Sequence, residues 1–154
     1  MNFSELLDKK RFQLSDAEED DNVSLNMAAA AIMFAVIGSD DQAASEEMAH
    51  LIELLRKRYH LGNEELIEIV SAARRAVHNE YEINNFLLIL RDKLNVDERS
   101  QLLNDMWELA SSDRTIRASE SLTIDLFAHQ LDLDSESVSK ARDIAEQKLE
   151  LNLG

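Results

Sequence analysis

Proline and cysteine are both missing from this chain, and glycine and aromatic residues are scarce: its 154 residues include three glycines, one tryptophan, two tyrosines and five phenylalanines. Without cysteine there is no disulfide staple, no thiolate nucleophile and no thiolate-held metal, so any metal must be held by oxygen or imidazole. The same absence is compatible with a reducing compartment. So little proline and glycine does not serve a strand-and-turn sandwich or barrel, whereas abundant Leu, Ala and Glu suit long helices with short connections. Positive charge is also short, with 31 Asp and Glu against 16 Lys and Arg and a net charge of −15. That balance opposes approach to a polyphosphate backbone or an anionic lipid surface, and no nucleic-acid partner is expected. The most apolar stretch, Met27 to Ile37, is too short to span a bilayer, and it follows an acidic segment where a secretory signal carries a basic one. The expectation is an all-α, soluble, cytoplasmic protein without membrane insertion, long enough to bury a full core without staples.

What the chain does have is a copy of itself at an offset of 73 residues. Ser39-Asp40 lies over Ser112-Asp113 and Glu47 over Glu120; upstream, Met33-Phe34 falls on Met106-Trp107 and Val36 on Leu109. Downstream, Leu51 meets Ile124 and Leu54 meets Phe127, and after a one-residue slip Leu61, Glu64 and Leu66 meet Leu133, Glu136 and Val138. Two copies of one helical unit, each built around an acidic interhelical loop, explain the match.

The pattern of apolar residues predicts seven helices, or eight with a short one over residues 3–12. The acidic run Ser15 to Asp21 has no apolar counterweight and reads as a solvated connection, so residues 1–21 form an N-terminal short helix and linker and residues 22–154 the helical domain. From Asn22 to Gly38 the sequence is apolar nearly all round, the mark of a helix packed on several sides. Helices are expected at 45–59 (stripe Met48, Leu51, Ile52, Leu55, Tyr59, with Ser45, Glu46 and Glu47 serving its start) and at 63–77 (stripe Leu66, Ile69, Val70, Ala73, Val77). Gly62 and Asp134 are the expected N-caps at matched places in the two copies, each with a flanking apolar pair, Leu61 with Leu66 and Leu133 with Val138, able to staple the helix start. A helix at 82–94, whose Phe86 to Leu90 run is too apolar to be left in water, joins the units, and helices at 95–110, 118–131 and 135–149 complete the chain.

Asp40, Asp41 and Glu47 are candidate ligands for a hard divalent cation, because Ca²⁺ and Mg²⁺ take carboxylate and carbonyl oxygens and a helix-connecting loop supplies both. The same residues also suit a purely structural part, with Asp40 closing the turn and Glu46 and Glu47 favouring the free N–H groups of the next helix. The spacing of an EF-hand is absent. Glu47 and His50 lie three apart on one helix face, as in di-metal carboxylate bundles, but the repeat places Thr123 where a second histidine belongs. His60, His78 and His129 fall near predicted helix C-termini, where positive charge is favoured, and no nucleophile, base and orienting group converge.

The stretches Ile37 to Glu47 and Leu109 to Glu120, with the Leu-Asp-Leu-Asp run at 131–134, resemble the tellurite-resistance TerB-like family, whose domains pair two helical hairpins around loops reading roughly Ala-Asp-Gly, a few residues, then Glu. The resemblance covers about residues 25–148. Where the family has a loop glycine this chain has Asp41 and Arg114, and Arg114 and Arg117 place positive charge beside the second copy's acids, so a cation suits the first loop better. The resemblance implies a divalent-cation site at Asp40 and Glu47 and at Asp113 and Glu120 and a role in stress responses and larger assemblies near the membrane; no enzymatic activity follows from it. The expected function is a non-catalytic interaction or regulatory module with protein partners, tuned by Ca²⁺ or Mg²⁺. Two alternatives stand beside it: a carboxylate metalloenzyme built on Glu47 and His50, and a scaffold whose acidity serves only solubility and partner choice.

Overall fold

Seven helices follow one another among the described residues: α1 (Ala17–Ile37), α2 (Ser45–Tyr59), α3 (Asn63–Ala76), α4 (Glu80–Lys93), α5 (Val96–Ala110), α6 (Ala118–Gln130) and α7 (Ser135–Leu153). The computed structural model describes residues 17–38, 45–112 and 115–153. The helix expected over residues 3–12, the loop residues Asp40, Asp41, Asp113 and Arg114, and the side chains of Ser45, Glu46 and Tyr59 lie outside the described residues. The all-α expectation is met, with boundaries shifted at the start of α1, the start of α4 and the end of α7, which runs to Leu153 rather than 149. Helix α1 begins at Ala17 rather than Asn22, so the stretch 17–21 that read as linker is helical; Glu and Asp are favoured in a first helical turn, where the dipole is positive.

Helix α1 is the centre of the fold because its second half, from Met27 onward, carries no polar residue. All eleven residues from Met27 to Ile37 are buried, and α2, α3, α4, α5 and α6 all pack on it. Four successive alanines, Ala28 to Ala31, keep its surface thin enough for close approach on several sides. At its end, Gly38 donates its N–H to the Phe34 carbonyl at 2.8 Å, and a Cβ there would lie only 3.0 Å from that same oxygen.

The second unit repeats the pattern. As α1 packs on α2 and α3, α5 packs on α6 and α7; and the second helix of each unit also crosses to the other unit's first, α2 onto α5 and α6 onto α1. Burial follows the repeat residue for residue: Met33 and Met106, Phe34 and Trp107, Val36 and Leu109, Leu51 and Ile124, and Leu54 and Phe127 are buried in both copies. Helix α4 has no counterpart; it packs on α1, α3 and α6, burying Phe86, Leu87 and Leu90 while leaving Leu88 exposed, so the apolar run is covered on one face only. None of the helices, among the described residues, is long and apolar enough to cross a membrane.

Local chemistry sets the helix ends. Asn95 and Glu98 form a reciprocal capping box at the start of α5, with the Asn95 side chain accepting the Glu98 N–H at 2.8 Å and the Glu98 carboxylate accepting the Asn95 N–H at 3.0 Å. Asn79 accepts from the Glu82 N–H at 3.2 Å, which starts α4 at Glu80, two residues before the expected point. Gly62 is the N-cap of α3 as expected, and the Asp134 carboxylate accepts the Ser137 N–H at 2.7 Å at the start of α7. The turns before these caps match as well: among the described residues, His60 and Asp132, equivalent after the one-residue slip, are the two non-glycine residues of positive φ, at 54° and 58°. Around Asp132 the Asp132 N–H reaches the His129 carbonyl at 3.1 Å and the Leu133 N–H the Ala128 carbonyl at 3.2 Å, the paired bonds of a Schellman ending. Arg99, in the first turn of α5, donates to the Leu131 carbonyl at 2.6 Å and so closes this turn from outside.

Two outcomes follow from these ends. Left-handed backbone favours glycine, so Asp132→Gly should raise stability by about 0.5–1 kcal/mol, read as a higher midpoint in chemical denaturation. The Asp134 carboxyl is held below its usual pKa, first by the Ser137 backbone N–H and next by the Ser137 hydroxyl. A depressed folded-state pKa contributes stability that is present above the unfolded value of about 4 and lost as pH falls below it. The Tm difference between the protein and Asp134→Ala should therefore be constant at neutral pH and narrow on acidification through that range.

Candidate ionic centre between the two units

The first turns of α2 and α6 each carry a glutamate at the third helical position, Glu47 and Glu120, and both side chains are 0 % exposed. A carboxylate in the first turn is favoured by the free N–H groups and the positive end of the dipole, which explains why each copy places one there. Burial is the unusual part, since an ionised carboxylate removed from water requires a counter-charge or hydrogen bonds.

One residue serves both. The Arg117 guanidinium donates from Nη2 to Glu47 Oε1 at 2.9 Å, and lies 3.4 Å from Glu120 through both Nη2 to Oε2 and Nε to Oε1. Arg117 is also the N-cap position of α6, and its backbone N–H is accepted by Glu120 Oε1 at 3.0 Å. Thus the repeat glutamates of both copies, 73 residues apart in sequence, meet on a single guanidinium. Helices α2 and α6 each pack on both central helices, α1 and α5, and their first turns meet through Arg117. The Arg117 side chain remains 31 % exposed and reaches solvent.

Of the candidate ligands, Glu47 and Glu120 are therefore brought together, while Asp40, Asp41 and Asp113 lie outside the described residues. Arg117 was legible as a positive charge beside the second copy's acids but not as a partner of Glu47. The signal for it was an asymmetry, because the equivalent position in the first copy is Ala44 and one arginine therefore faces two matched glutamates.

Glu47 and His50 do not act as a pair. Glu47 goes to Arg117, whereas His50 Nε2 lies 3.2 Å from Glu108 Oε2 on α5. Among the described residues no group of three or more His, Asp and Glu is able to hold a metal ion. The remaining histidines sit where expected: His60 and His78 just beyond α2 and α3, and His129 in the last turn of α6. Two further polar features were not foreseen. Asp105 is buried on α5 and accepts from Gln101 Nε2 at 3.1 Å, and Arg142 of α7 pairs with Asp125 of α6 while its guanidinium lies 5.8 Å from the ring centre of the buried Trp107.

Removing Arg117 leaves two buried carboxylates short of their shared counter-charge. Arg117→Met should cost about 2–4 kcal/mol in denaturant unfolding, somewhat below the value for a fully buried pair because the guanidinium is partly solvated. Double-mutant cycles with Glu47→Gln and with Glu120→Gln should each return a coupling of about 1–3 kcal/mol; additive effects would show that the cluster is not a unit.

The family model described as Tellurite resistance protein TerB matches residues 26–143 of the chain. No curated protein and no solved structure matches it.

Proposed function

Because the chain belongs to the TerB family and is a tellurite-resistance-associated domain, we propose that it is a non-catalytic, cytoplasmic stress-response module that binds protein partners and is tuned by a divalent cation. The observation that carries this reading is the sharing of Arg117 by Glu47 and Glu120. Two carboxylates meet on one guanidinium where α2 and α6 begin. A Ca²⁺ or Mg²⁺ ion neutralises both, and it accepts the same oxygens. Arg117, with a solvated side chain, has a way out when the ion enters. The further oxygens this needs are assigned in this reading to the acids of the loop sequences that precede α2 and α6, Asp40, Asp41 and Asp113, which lie outside the described residues.

In this reading the cation and Arg117 are alternatives. Without the ion, Arg117 ties the two units together; with it, the ion takes over the tie and frees a positive charge at the surface next to the loops. The change is local, and it is large enough to alter what a partner meets there. A catalytic metal on Glu47 and His50 is disfavoured by their divergence to Arg117 and Glu108.

The test is a ¹H–¹⁵N titration of metal-free protein with Ca²⁺, Mg²⁺ and Mn²⁺ at near-physiological salt, following the Arg117 Nε–H and residues 39–47 and 112–120. Saturable shifts with movement of the Arg117 Nε–H, lost in Asp40→Asn, are expected. Diffuse, salt-like shifts with an unmoved Arg117 signal would leave a permanent salt bridge and a scaffold.

A further inference from the structure

Arginine gathers in one groove of a chain whose net charge is −15. The groove lies between α2 and α3, encloses about 740 Å³, and is lined by Ile52, Ile67 and Val70 together with Arg56, Arg74 and Arg75. Ile67 is 68 % exposed, although it sits in the middle of a helix whose next turns bury Ile69, Ala72 and Ala73. Two of the arginines rest on neutral neighbours. Arg56 Nη2 donates to Asn63 Oδ1 at 3.1 Å, and the Arg74 guanidinium stands 5.8 Å from the centre of the Phe34 ring. Among the described residues no ion pair joins any of the three to a carboxylate, even though acids outnumber basic residues almost two to one in the sequence.

An exposed apolar strip beside guanidiniums without acidic partners is half of an interface. We propose that this groove docks an acidic amphipathic helix of a partner protein, with apolar residues one helical turn apart seated on Ile52, Ile67 and Val70 and with carboxylates paired to Arg56, Arg74 and Arg75. The inference rests on the interaction-module reading and names the surface and the chemistry of the partner. Charge complementarity selects acidic flanks, and the spacing of apolar residues along α3 selects a helix laid in a groove. A polyphosphate backbone has no apolar face to offer Ile67, and the net charge of the molecule opposes a long polyanion or an anionic membrane. A short acidic segment meets the arginines at contact range, inside the screening length of about 8 Å at physiological salt.

The experiment is selection from a phage-displayed library of amphipathic helical peptides with randomised flanks, followed by binding and ¹H–¹⁵N mapping of the enriched peptides on the full chain. Enrichment of acidic flanks is expected, with shifts at Ile52, Ile67, Val70 and Arg74, and with binding about tenfold weaker in Arg74→Glu and in Arg56→Glu but kept in Arg91→Glu on α4. Enriched peptides that are basic, that map to another face, or that ignore the charge reversals would overturn the groove while leaving the module reading intact. A library that yields no binder would overturn both. Vesicles rich in phosphatidylserine form the remaining arm; if Arg74→Glu abolishes binding to them, the groove is a membrane site and the peptide assignment is wrong.

Discussion

Two helical units of like sequence are set in register by a buried charge cluster that draws on both. Glu47 comes from the first unit, Glu120 from the second, and Arg117 lies at the head of α6 where it reaches each of them. Neither carboxylate has another route to water, as both are fully buried. The cluster is thus satisfied only when α2 and α6 are correctly placed across α1 and α5, and a misplaced unit would strand an ionised group in the interior at a cost of several kcal/mol. Apolar packing supplies the bulk of the stability, but it is tolerant of small slips; the ionic centre is not, and it fixes how one copy sits against the other.

The duplication is closest where geometry constrains it and loosest where chemistry has been varied. Left-handed turns recur at His60 and Asp132, and the helices that follow start from Gly62 and Asp134, so the backbone path is kept while the residues differ. Core positions keep their burial and change their shape, as with Phe34 and Trp107. The unmatched features are polar: Arg117 faces Ala44 in the alignment of the copies, and the buried Asp105 faces Ile32. Near-symmetry in the backbone with asymmetry in charge is what allows one arginine to serve two equivalent acids.

Much of this was readable in advance, for reasons that can be named. Helices α2, α3, α5 and α6 matched their expected spans within a residue or two because caps such as Asn95 and Gly62 are written locally in the chain. The central place of α1 follows from the unbroken apolar run from Met27 to Ile37. Its start was misjudged, since a run of like charge reads as linker unless the preference of acids for a helix N-terminus is allowed for. The partnership of Arg117 with Glu47 was hidden because it depends on how α2 crosses the other unit, and no local periodicity encodes a contact over 70 residues. The His50 to Glu108 contact was hidden for the same reason.

The placement of α1 also bears on the order of events when the chain is made. It leaves the ribosome before any of the described helices that pack on it, carrying eleven consecutive residues that end up buried, and α6, which also packs on it, is not complete until residue 130. For most of translation this segment has no complete shelter, which is the circumstance in which nascent chains aggregate or recruit chaperones. The acidic sequence at the beginning of α1 then has a second use, because it flanks the most apolar segment of the molecule with repulsive charge while that segment waits for its partners.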